Sequence, residues 1–93
     1  MKSSATPRFW SLYRALPETT RRHARRTYRL WSENQNHPSL HFKQVHDSRA
    51  IYSLRIGLHW RALGERHGNE IVWFWIGTHA QYDHLVGKVR GGH

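Results

Sequence analysis

The segment that decides the fold is IYSLRIGLHWRALGERHGNEIVWFWI, residues 51–76. Its first part alternates apolar and polar side chains, which is typical of a strand with one buried face. Turn sequences at Gly57 and at residues 67–69 divide the segment into three runs. The last run, residues 70–76, is apolar on both faces, which indicates a central position in a sheet. The segment therefore predicts antiparallel strands joined by hairpins.

The length of the turn at Gly57 decides which side chains of the first hairpin share a face. A two-residue turn would put Arg55 and Arg61 on opposite faces of the sheet. A three-residue turn, residues 57–59, would place these two arginines directly opposite each other. The longer turn also gathers one apolar set on a single face: Tyr52, Leu54, Ile56, Trp60 and Ala62. We therefore predict the three-residue turn.

The chain changes character directly after the last strand. Gly77 is expected to turn the chain sharply off the sheet. Thr78 and Gln81 have the spacing of a capping box, in which each side chain accepts a hydrogen bond from the other residue's backbone N–H at a helix start. This pattern predicts a short C-terminal helix, and residues 86–93 are predicted to form a flexible tail.

Two helices are predicted before the sheet. Thr6 and Pro7 are typical of an N-cap and a first helical residue. The second helix is predicted over about residues 18–34, with its arginines on one side. The side chains expected to face the core are Ala24, Thr27, Tyr28 and Trp31. With a short strand near residues 41–46, the prediction is one α+β domain, residues 1–93, with two helices on an antiparallel sheet of about four strands.

The composition favours a polyanionic partner. The chain has 93 residues, and 15 Lys and Arg against 6 Asp and Glu give a formal charge of +9. Most of these cations are arginines, whose planar donors suit phosphate, so RNA or DNA is the expected partner class. A basic membrane-surface protein is the rival interpretation, but no segment has a lipid-facing apolar stripe.

Other classes of protein are excluded or disfavoured by what the sequence lacks. Cysteine is absent, which excludes disulfides and cysteine-ligated zinc. The first residues do not have the apolar stretch of a signal peptide, and no run reaches transmembrane length. We therefore expect a cytoplasmic protein without a membrane partner.

Titratable side chains cluster just after the last strand. His79 would lie in the first turn of the C-terminal helix, and Tyr82 and Asp83 would share its face. The helix N-terminus disfavours a second proton on the imidazole, and a neutral imidazole is a competent proton acceptor. Asp83 would orient that imidazole, and Tyr82 would stack on a base or donate a proton. In the alternative interpretation, His79 only helps to cap the helix and Tyr82 packs on the sheet.

The opposed arginines suggest a phosphate site. Two like charges directly opposite each other repel, and a phosphate between Arg55 and Arg61 would relieve that repulsion. The alternative is a pair of solvated surface arginines. Nine histidines also raise the question of a metal, but no tight motif such as H-E-x-x-H is present. We therefore expect neither a metal nor another cofactor.

Four segments occur in an order that is similar to one known family. They are LP before the arginine-rich helix, NHPSLHFKQV after it, the hairpin YSLRIGLHWRAL, and the closing WIGTHAQYD. Together they span about residues 16–85. In the order and spacing of these segments, the chain resembles the RelE/ParE superfamily of toxins from bacterial type II toxin–antitoxin modules. It looks closest to the RelE/HigB-like branch, whose members end a strand in IG-x-H-x-x-Y.

The resemblance implies a compact α+β toxin that cleaves messenger RNA in the ribosomal A site. In that family the ribose 2′-hydroxyl attacks the neighbouring phosphate without a metal. Arg61 matches the family's phosphate-stabilising arginine, and Arg55 matches a commonly basic place on the preceding strand. His79 lies where the family carries an arginine or histidine, and Tyr82 lies near its late aromatic residue.

The resemblance and the residue patterns together give the predicted site. The predicted catalytic residues are Arg61, His79, Arg55 and Tyr82. The predicted RNA-binding residues are Lys43, Arg55, Arg61, Asp83 and His59. RelE proper has a lysine-rich strand, whereas this region has Lys43, so the resemblance does not assign the general base. The expected partners are a cognate antitoxin protein, the ribosome and messenger RNA.

Two other functions remain as alternatives. One is a ParE-like inhibitor of DNA gyrase, which binds its target and is not a nuclease. The cluster around His79 argues against it, because an inhibitor needs no proton-transfer group. The other is a non-catalytic nucleic-acid-binding module on the same fold.

Overall fold

The computed structural model describes residues 1–46 and 48–90, which form three helices and one five-stranded sheet. The strands are β1 (Lys2–Ala5), β2 (Lys43–Gln44), β3 (Ile51–Ile56), β4 (Trp60–His67) and β5 (Glu70–Thr78). The helices are α1 (Pro7–Arg14), α2 (Glu18–Glu33) and α3 (His79–Arg90), and a 3-10 turn, Pro38–Leu40, precedes β2. The predicted α+β class is confirmed. No helix in this part of the chain is both long enough and apolar enough to cross a membrane.

The sheet has the order β1-β5-β4-β3-β2, and all pairs are antiparallel except β1 with β5. β1 is one strand more than the sequence predicted. Its sequence, KSSA, is short and polar, so it carries no strand signal of its own and is held by pairing with β5. β2 is limited to two residues, which is shorter than the predicted strand over residues 41–46.

The three-residue turn of the β3–β4 hairpin is confirmed. Arg55 pairs with Arg61, and Ile56 pairs with Trp60. Gly57 has φ +62°, a left-handed conformation that a side chain disfavours, which explains why a glycine opens this turn. The turn therefore fixes both arginines on the same face of the sheet.

A β-bulge in β5 gives the two faces of the sheet their different roles. Gly64 pairs with Trp73 and Leu63 pairs with Trp75, so Phe74 is an extra residue on its strand. Trp73 consequently packs with the core that also contains Ile76, whereas Trp75 packs with Leu63 in a second cluster. We call the face of Trp73 the helical face and the face of Trp75 the open face. Both faces of β5 thus pack in apolar clusters, which explains the uninterrupted apolar run of residues 71–76.

The main core lies between α1, α2 and the helical face. Trp31 of α2 is 2% exposed, and it contacts Trp73 edge-on with ring centroids 5.4 Å apart. Ala24 and Thr27 are also buried, as predicted, but Tyr28 is 44% exposed and the prediction that it faces the core was wrong. Its hydroxyl instead forms a hydrogen bond with the Ser3 hydroxyl of β1. Tyr28 thus forms a polar contact with β1, the strand that was not predicted, and is not buried in the core.

The two predicted side-chain caps, at the starts of α1 and α3, are confirmed. The Thr6 hydroxyl accepts a hydrogen bond from the Phe9 backbone N–H at 3.1 Å. At the start of α3, Gln81 N–H donates to the Thr78 hydroxyl at 3.1 Å, and Thr78 N–H donates to the Gln81 side-chain oxygen at 2.9 Å. This reciprocal pair is the expected capping box.

Gly77 does not turn the chain off the sheet as predicted, because β5 continues through Thr78 and Gly77 pairs with Arg61. The position needs a glycine for space. A Cβ there would lie 2.5 Å from Cζ2 of Trp75 and 2.6 Å from Oε1 of Gln81. The helix is also longer than expected, since residues 86–90 of the predicted tail belong to α3. Residues 91–93 of that tail lie outside the described residues.

Candidate active site

The predicted site residues meet on the open face of the sheet. Arg55 of β3, Arg61 of β4 and Gly77 of β5 form one row across three neighbouring strands. α3 packs over the same face further along, where Tyr82, Leu85 and Val86 contact the second apolar cluster. The row that contains the two arginines lies beside the first turn of this helix. We call this place, where the sheet meets the first turn of α3, the corner.

Arg61 is the cation at the centre of this corner. Its Nη1 donates to the backbone oxygen of Trp60 at 2.8 Å, and its guanidinium carbon lies 5.9 Å from the ring centroid of Tyr82. Burial lowers the pKa of the Arg61 guanidinium, and the charge of Arg55 lowers it further, whereas Tyr82 and Asp83 raise it. Partial burial beside a like charge disfavours the cation, and a bound anion would oppose both effects.

Arg55 is held by partners at the hairpin turn. Its Nε donates to the backbone oxygen of Gly57 at 3.0 Å, and its Nη1 lies 3.2 Å from Nε2 of His41. Arg55 and Arg61 are therefore direct neighbours in the sheet, but their guanidiniums are anchored on different groups. The expectation that a single phosphate sits between them remains a prediction.

His79 is held in place at two points. Its backbone N–H donates to the backbone oxygen of His59 at 2.7 Å. Its Nδ1 lies 3.1 Å from Oδ2 of Asp83, one helical turn later. The His79 side chain is 45% exposed and that of Asp83 is 61% exposed, so the pair is open to a ligand. With Nδ1 engaged by the carboxylate, Nε2 is the imidazole nitrogen that remains for a substrate.

Tyr82 connects the helix to the arginines. Its ring centroid lies 6.0 Å from that of His79, and its hydroxyl donates to the Ser53 hydroxyl at 3.4 Å. Ser53 is 2% exposed and was not predicted as a site residue, although the alternation of β3 puts it on the same face as Arg55. The ring of Tyr82 is thus fixed against the sheet on one side of Arg61.

The remaining predicted residues lie around this group. Lys43 pairs with Ser53, so it is on the exposed outer strand next to β3. His59 is exposed in the β3–β4 turn, and its backbone oxygen, described above, is its contact with the site. The structure therefore brings together Arg55, Arg61, His79, Tyr82 and Asp83, and it places Lys43 and His59 at their border.

His41 is a contact of the site that sequence analysis did not assign to it. It has a left-handed backbone conformation, φ 45°, which is unusual for a residue with a side chain. Because arginine has no acceptor, the His41 nitrogen that meets Arg55 is the acceptor of that hydrogen bond. Pro38, three residues earlier in the sequence, does not indicate this backbone conformation or the contact with Arg55.

The arrangement supplies the groups that cleavage of a phosphodiester requires. An exposed imidazole oriented by a carboxylate suits proton transfer, and half-buried guanidiniums suit the stabilisation of a phosphate's developing charge. Among residues 1–46 and 48–90, no group of three or more histidine, aspartate or glutamate side chains is arranged to hold a metal ion.

Comparison with known proteins agrees with this fold. The family model of the ParE-like toxin domain matches residues 18–84. No curated protein sequence matches the chain. YafQ from E. coli strain BL21(DE3) superposes with a TM-score of 0.69 at 9% identity, covering 87% of this chain and 96% of YafQ.

Two further solved structures are similar. The RelB–RelE antitoxin–toxin complex from Methanococcus jannaschii contains a chain with a TM-score of 0.68 and 16% identity, covering 87% of this chain and 96% of that one. The YoeB/ParE toxin from Agrobacterium tumefaciens has a TM-score of 0.65 and 14% identity, covering 85% of this chain and 99% of that toxin. At such identities the similarity shows a shared fold.

Proposed function

The chain belongs to the ParE-like toxin domain family, within the RelE/ParE toxin superfamily, and we propose that this toxin is a ribosome-dependent endoribonuclease that cleaves messenger RNA. One observation carries the proposal. The oriented imidazole of His79 and the half-buried guanidinium of Arg61 flank Tyr82 in a single open corner. A binding inhibitor has no need of a proton-transfer group beside a phosphate-binding cation.

The proposed reaction is an internal transfer at phosphorus. The 2′-oxygen of a ribose attacks the adjacent phosphate and forms a new P–O bond, while the bond from phosphorus to the 5′-oxygen of the next nucleotide breaks. The 2′-hydroxyl loses a proton to a base, and the leaving 5′-oxygen gains one from an acid. Arginine side chains supply the positive charge near phosphorus, so we propose that the step does not require a metal.

His79 is assigned to proton transfer. The Asp83 carboxylate, 3.1 Å from Nδ1, holds the ring through that nitrogen and leaves Nε2 for the substrate. In the neutral imidazole with its proton on Nδ1, Nε2 carries the lone pair that takes the 2′-hydroxyl proton. The same nitrogen, once protonated, would instead serve as an acid toward the leaving oxygen.

Arg61 is assigned to the scissile phosphate, and Tyr82 is assigned to positioning Arg61. The Tyr82 hydroxyl donates to buried Ser53, which ties it to the sheet and leaves its ring to support the guanidinium. This contact favours a positioning role for Tyr82 over a role as proton donor. Arg55, Lys43 and His59 would bind the RNA on either side.

An antitoxin protein and the ribosome are the proposed partners. One structural neighbour was solved as a RelB–RelE antitoxin–toxin complex, which supports a protein antitoxin for this chain. The formal charge of +9 suits both an acidic antitoxin segment and ribosomal RNA. Because ribosomes are the proposed site of action, the proposed location is the cytoplasm.

Inhibition of DNA gyrase is the second candidate, because the matching family model is described as ParE-like. Induction of the gene in a bacterium separates the candidates when protein synthesis, transcripts and DNA supercoiling are followed together. Early cuts within reading frames are the expected result. Double-strand breaks or altered supercoiling with intact transcripts would replace the proposal with gyrase inhibition, and normal growth would favour a non-catalytic module.

A further inference from the structure

A cavity of about 490 Å³ opens at the tip of the β3–β4 hairpin, outside the corner that holds His79. It lies between the hairpin, α2 and the 3-10 turn. Its apolar lining includes three leucines, Leu30, Leu40 and Leu58. Leu40 is 1% exposed and belongs to the floor, whereas Leu58 is 69% exposed at the tip of the turn. The volume is in the range of small-molecule sites.

The rim of this cavity is cationic. Arg26 and His23 of α2 line one side, and Arg55 lines the other. In the part of the chain that the structure describes, none of these three forms an ion pair with a carboxylate. The charges of Arg26 and Arg55 are therefore not balanced by a carboxylate in this part of the chain, and the rim is suited to an anion.

The hairpin side of the rim is held rigidly. The backbone oxygen of Gly57 accepts a hydrogen bond from Arg55 Nε–H, and Nε2 of His41 contacts Nη1 of the same guanidinium. The imidazole of His23 packs so closely on Gly57 that a Cβ there would be 2.8 Å from its Cε1. A preorganised guanidinium loses little freedom when it binds phosphate.

An apolar floor beneath cations matches the chemistry of a nucleotide. A base can bury its face on leucine side chains, while the attached phosphate accepts hydrogen bonds from guanidinium donors. Arg55 lines the cavity and is also the direct strand neighbour of Arg61. Arg55 is thus shared by the cavity lining and by the row of residues that contains Arg61.

We propose that this cavity is a subsite for the nucleotide next to the scissile bond, with its base on the leucines and its phosphate between Arg26 and Arg55. The inference rests on the proposed ribonuclease function, because it takes RNA as the ligand. It adds Arg26, Leu58 and His23 to the RNA-binding surface.

The test is a binding titration with a six-nucleotide 2′-O-methyl oligoribonucleotide, in which the attacking hydroxyl is blocked. Backbone amide resonances of Gly57, Leu58 and Leu30 are expected to shift in the wild-type protein. Arg26→Ala should weaken binding about tenfold, which corresponds to loss of one charge-assisted contact. Arg29→Ala is the matched control, since Arg29 is exposed on the same helix and does not line this cavity.

A second variant tests the base contact. Leu58→Ser removes an exposed apolar side chain from the turn, so the fold should be retained. It should weaken binding of the normal oligonucleotide several-fold but leave binding of an abasic oligonucleotide of equal length unchanged. Loss of affinity for both ligands would overturn the assignment of the leucines to a base.

The subsite is overturned if Arg26→Ala and Arg29→Ala weaken binding equally. Both arginines would then contribute only to the non-specific attraction between the basic surface and RNA. It is also overturned if the cavity amides respond to an acidic peptide but not to the oligonucleotide, which would assign the cavity to a protein partner. Cleavage is measured separately. If the protein cleaves RNA normally but the amide resonances of the cavity do not shift, the subsite is wrong and the proposed function stands. If the oligonucleotide binds specifically in the cavity but the protein does not cleave RNA, the proposed enzymatic function is wrong and the subsite stands.

Discussion

At residue 79 a histidine is fixed by its backbone and by its side chain at once. The backbone N–H donates to the oxygen of His59 in the hairpin turn, and Nδ1 meets the Asp83 carboxylate. The helix start therefore orients the imidazole relative to the sheet. An oriented, exposed imidazole contributes to proton transfer without supporting much of the core.

We predict that His79→Gln lowers the rate of cleavage of ribosome-bound message about 100-fold or more, because glutamine cannot transfer the proton. The melting temperature should stay close to that of the wild type, since the side chain is 45% exposed. His84→Gln is the matched control, because His84 is exposed on the same helix. A His79→Gln rate within a few-fold of wild type would reduce His79 to a capping residue.

Gly77 illustrates a residue whose role is spatial. We predict that Gly77→Ala lowers the free energy of unfolding by about 1–3 kcal/mol, because the new methyl group overlaps the Trp75 ring and the Gln81 side chain. Gly87→Ala is the control, since a Cβ there meets nothing within 4 Å and alanine favours a helix. Equal stability of Gly77→Ala and wild type in denaturant titrations would contradict this explanation.

Sequence patterns predicted some residues of the site and missed others for a physical reason. Arg55 and Arg61 were placed opposite each other because strand alternation and turn length fix a register. Ser53 and His41 join the site through contacts between distant segments, and no local pattern specifies such contacts. Gly77 was misassigned because a glycine required by close packing looks the same in sequence as a glycine required by a turn.

At the scale of elements, the bulge in β5 decides which face each tryptophan meets. An uninterrupted apolar run such as residues 71–76 carries no alternation, so the sequence could not reveal the change of phase at Phe74. β1 was not predicted for a related reason. A short polar strand has no pattern of its own and forms because it pairs with a neighbouring strand, here β5. The helices and their caps were predictable because their hydrogen bonds are local.

The segment between β2 and β3 is tied to β4 by an ion pair that depends on pH. Arg49 Nη2 lies 2.9 Å from Oε2 of Glu65. This hydrogen bond from Arg49 lowers the pKa of the Glu65 carboxyl. A lowered carboxyl pKa in the folded state adds stability above the ordinary pKa, and that stability is lost as the pH falls through the folded value.

We therefore predict that Glu65→Gln lowers the free energy of unfolding by about 0.5–1 kcal/mol near neutral pH. The difference from wild type should shrink as the pH falls below about 4 and through the lowered pKa of the folded state, below which the carboxyl is protonated in both states. Denaturant titrations over this pH range measure it. Glu70→Gln is the control, because Glu70 is exposed and forms no ion pair within the described residues. A difference that is constant with pH would contradict the prediction.

At the scale of the whole molecule, the excess of positive charge is the property that should govern association. We predict that an acidic antitoxin segment binds this chain and that its dissociation constant rises steeply between about 0.1 M and about 1 M salt, because salt screens the attraction. Co-purification with the neighbouring gene product, followed by titrations at several salt concentrations, measures this. An affinity that ignores salt would assign the main contribution to apolar contacts.

The α+β class, the order of helices before the antiparallel strands and the family were predictable from the whole chain. They follow from periodicity and from motif order over most of its length, which small local errors do not change. The number of strands and the shape of the corner were not predictable in the same way. The number of strands depends on the pairing of β1 with β5, and the shape of the corner depends on where α3 packs on the sheet, as the contact of Tyr82 with Ser53 illustrates.

The central claim is that the open face of the sheet cleaves RNA, and the most direct test compares two arginines of one strand. Arg61 lies on the open face, and Arg66 lies on the helical face over the Tyr52 ring. Each is replaced by alanine, so the charge change is equal. Cleavage of ribosome-bound message is then measured alongside thermal melts. Arg61→Ala should lose about 100-fold or more in rate with a retained fold, and Arg66→Ala should cleave nearly as well as wild type. Full cleavage by a folded Arg61→Ala protein, or equal losses in both variants, would contradict the claim.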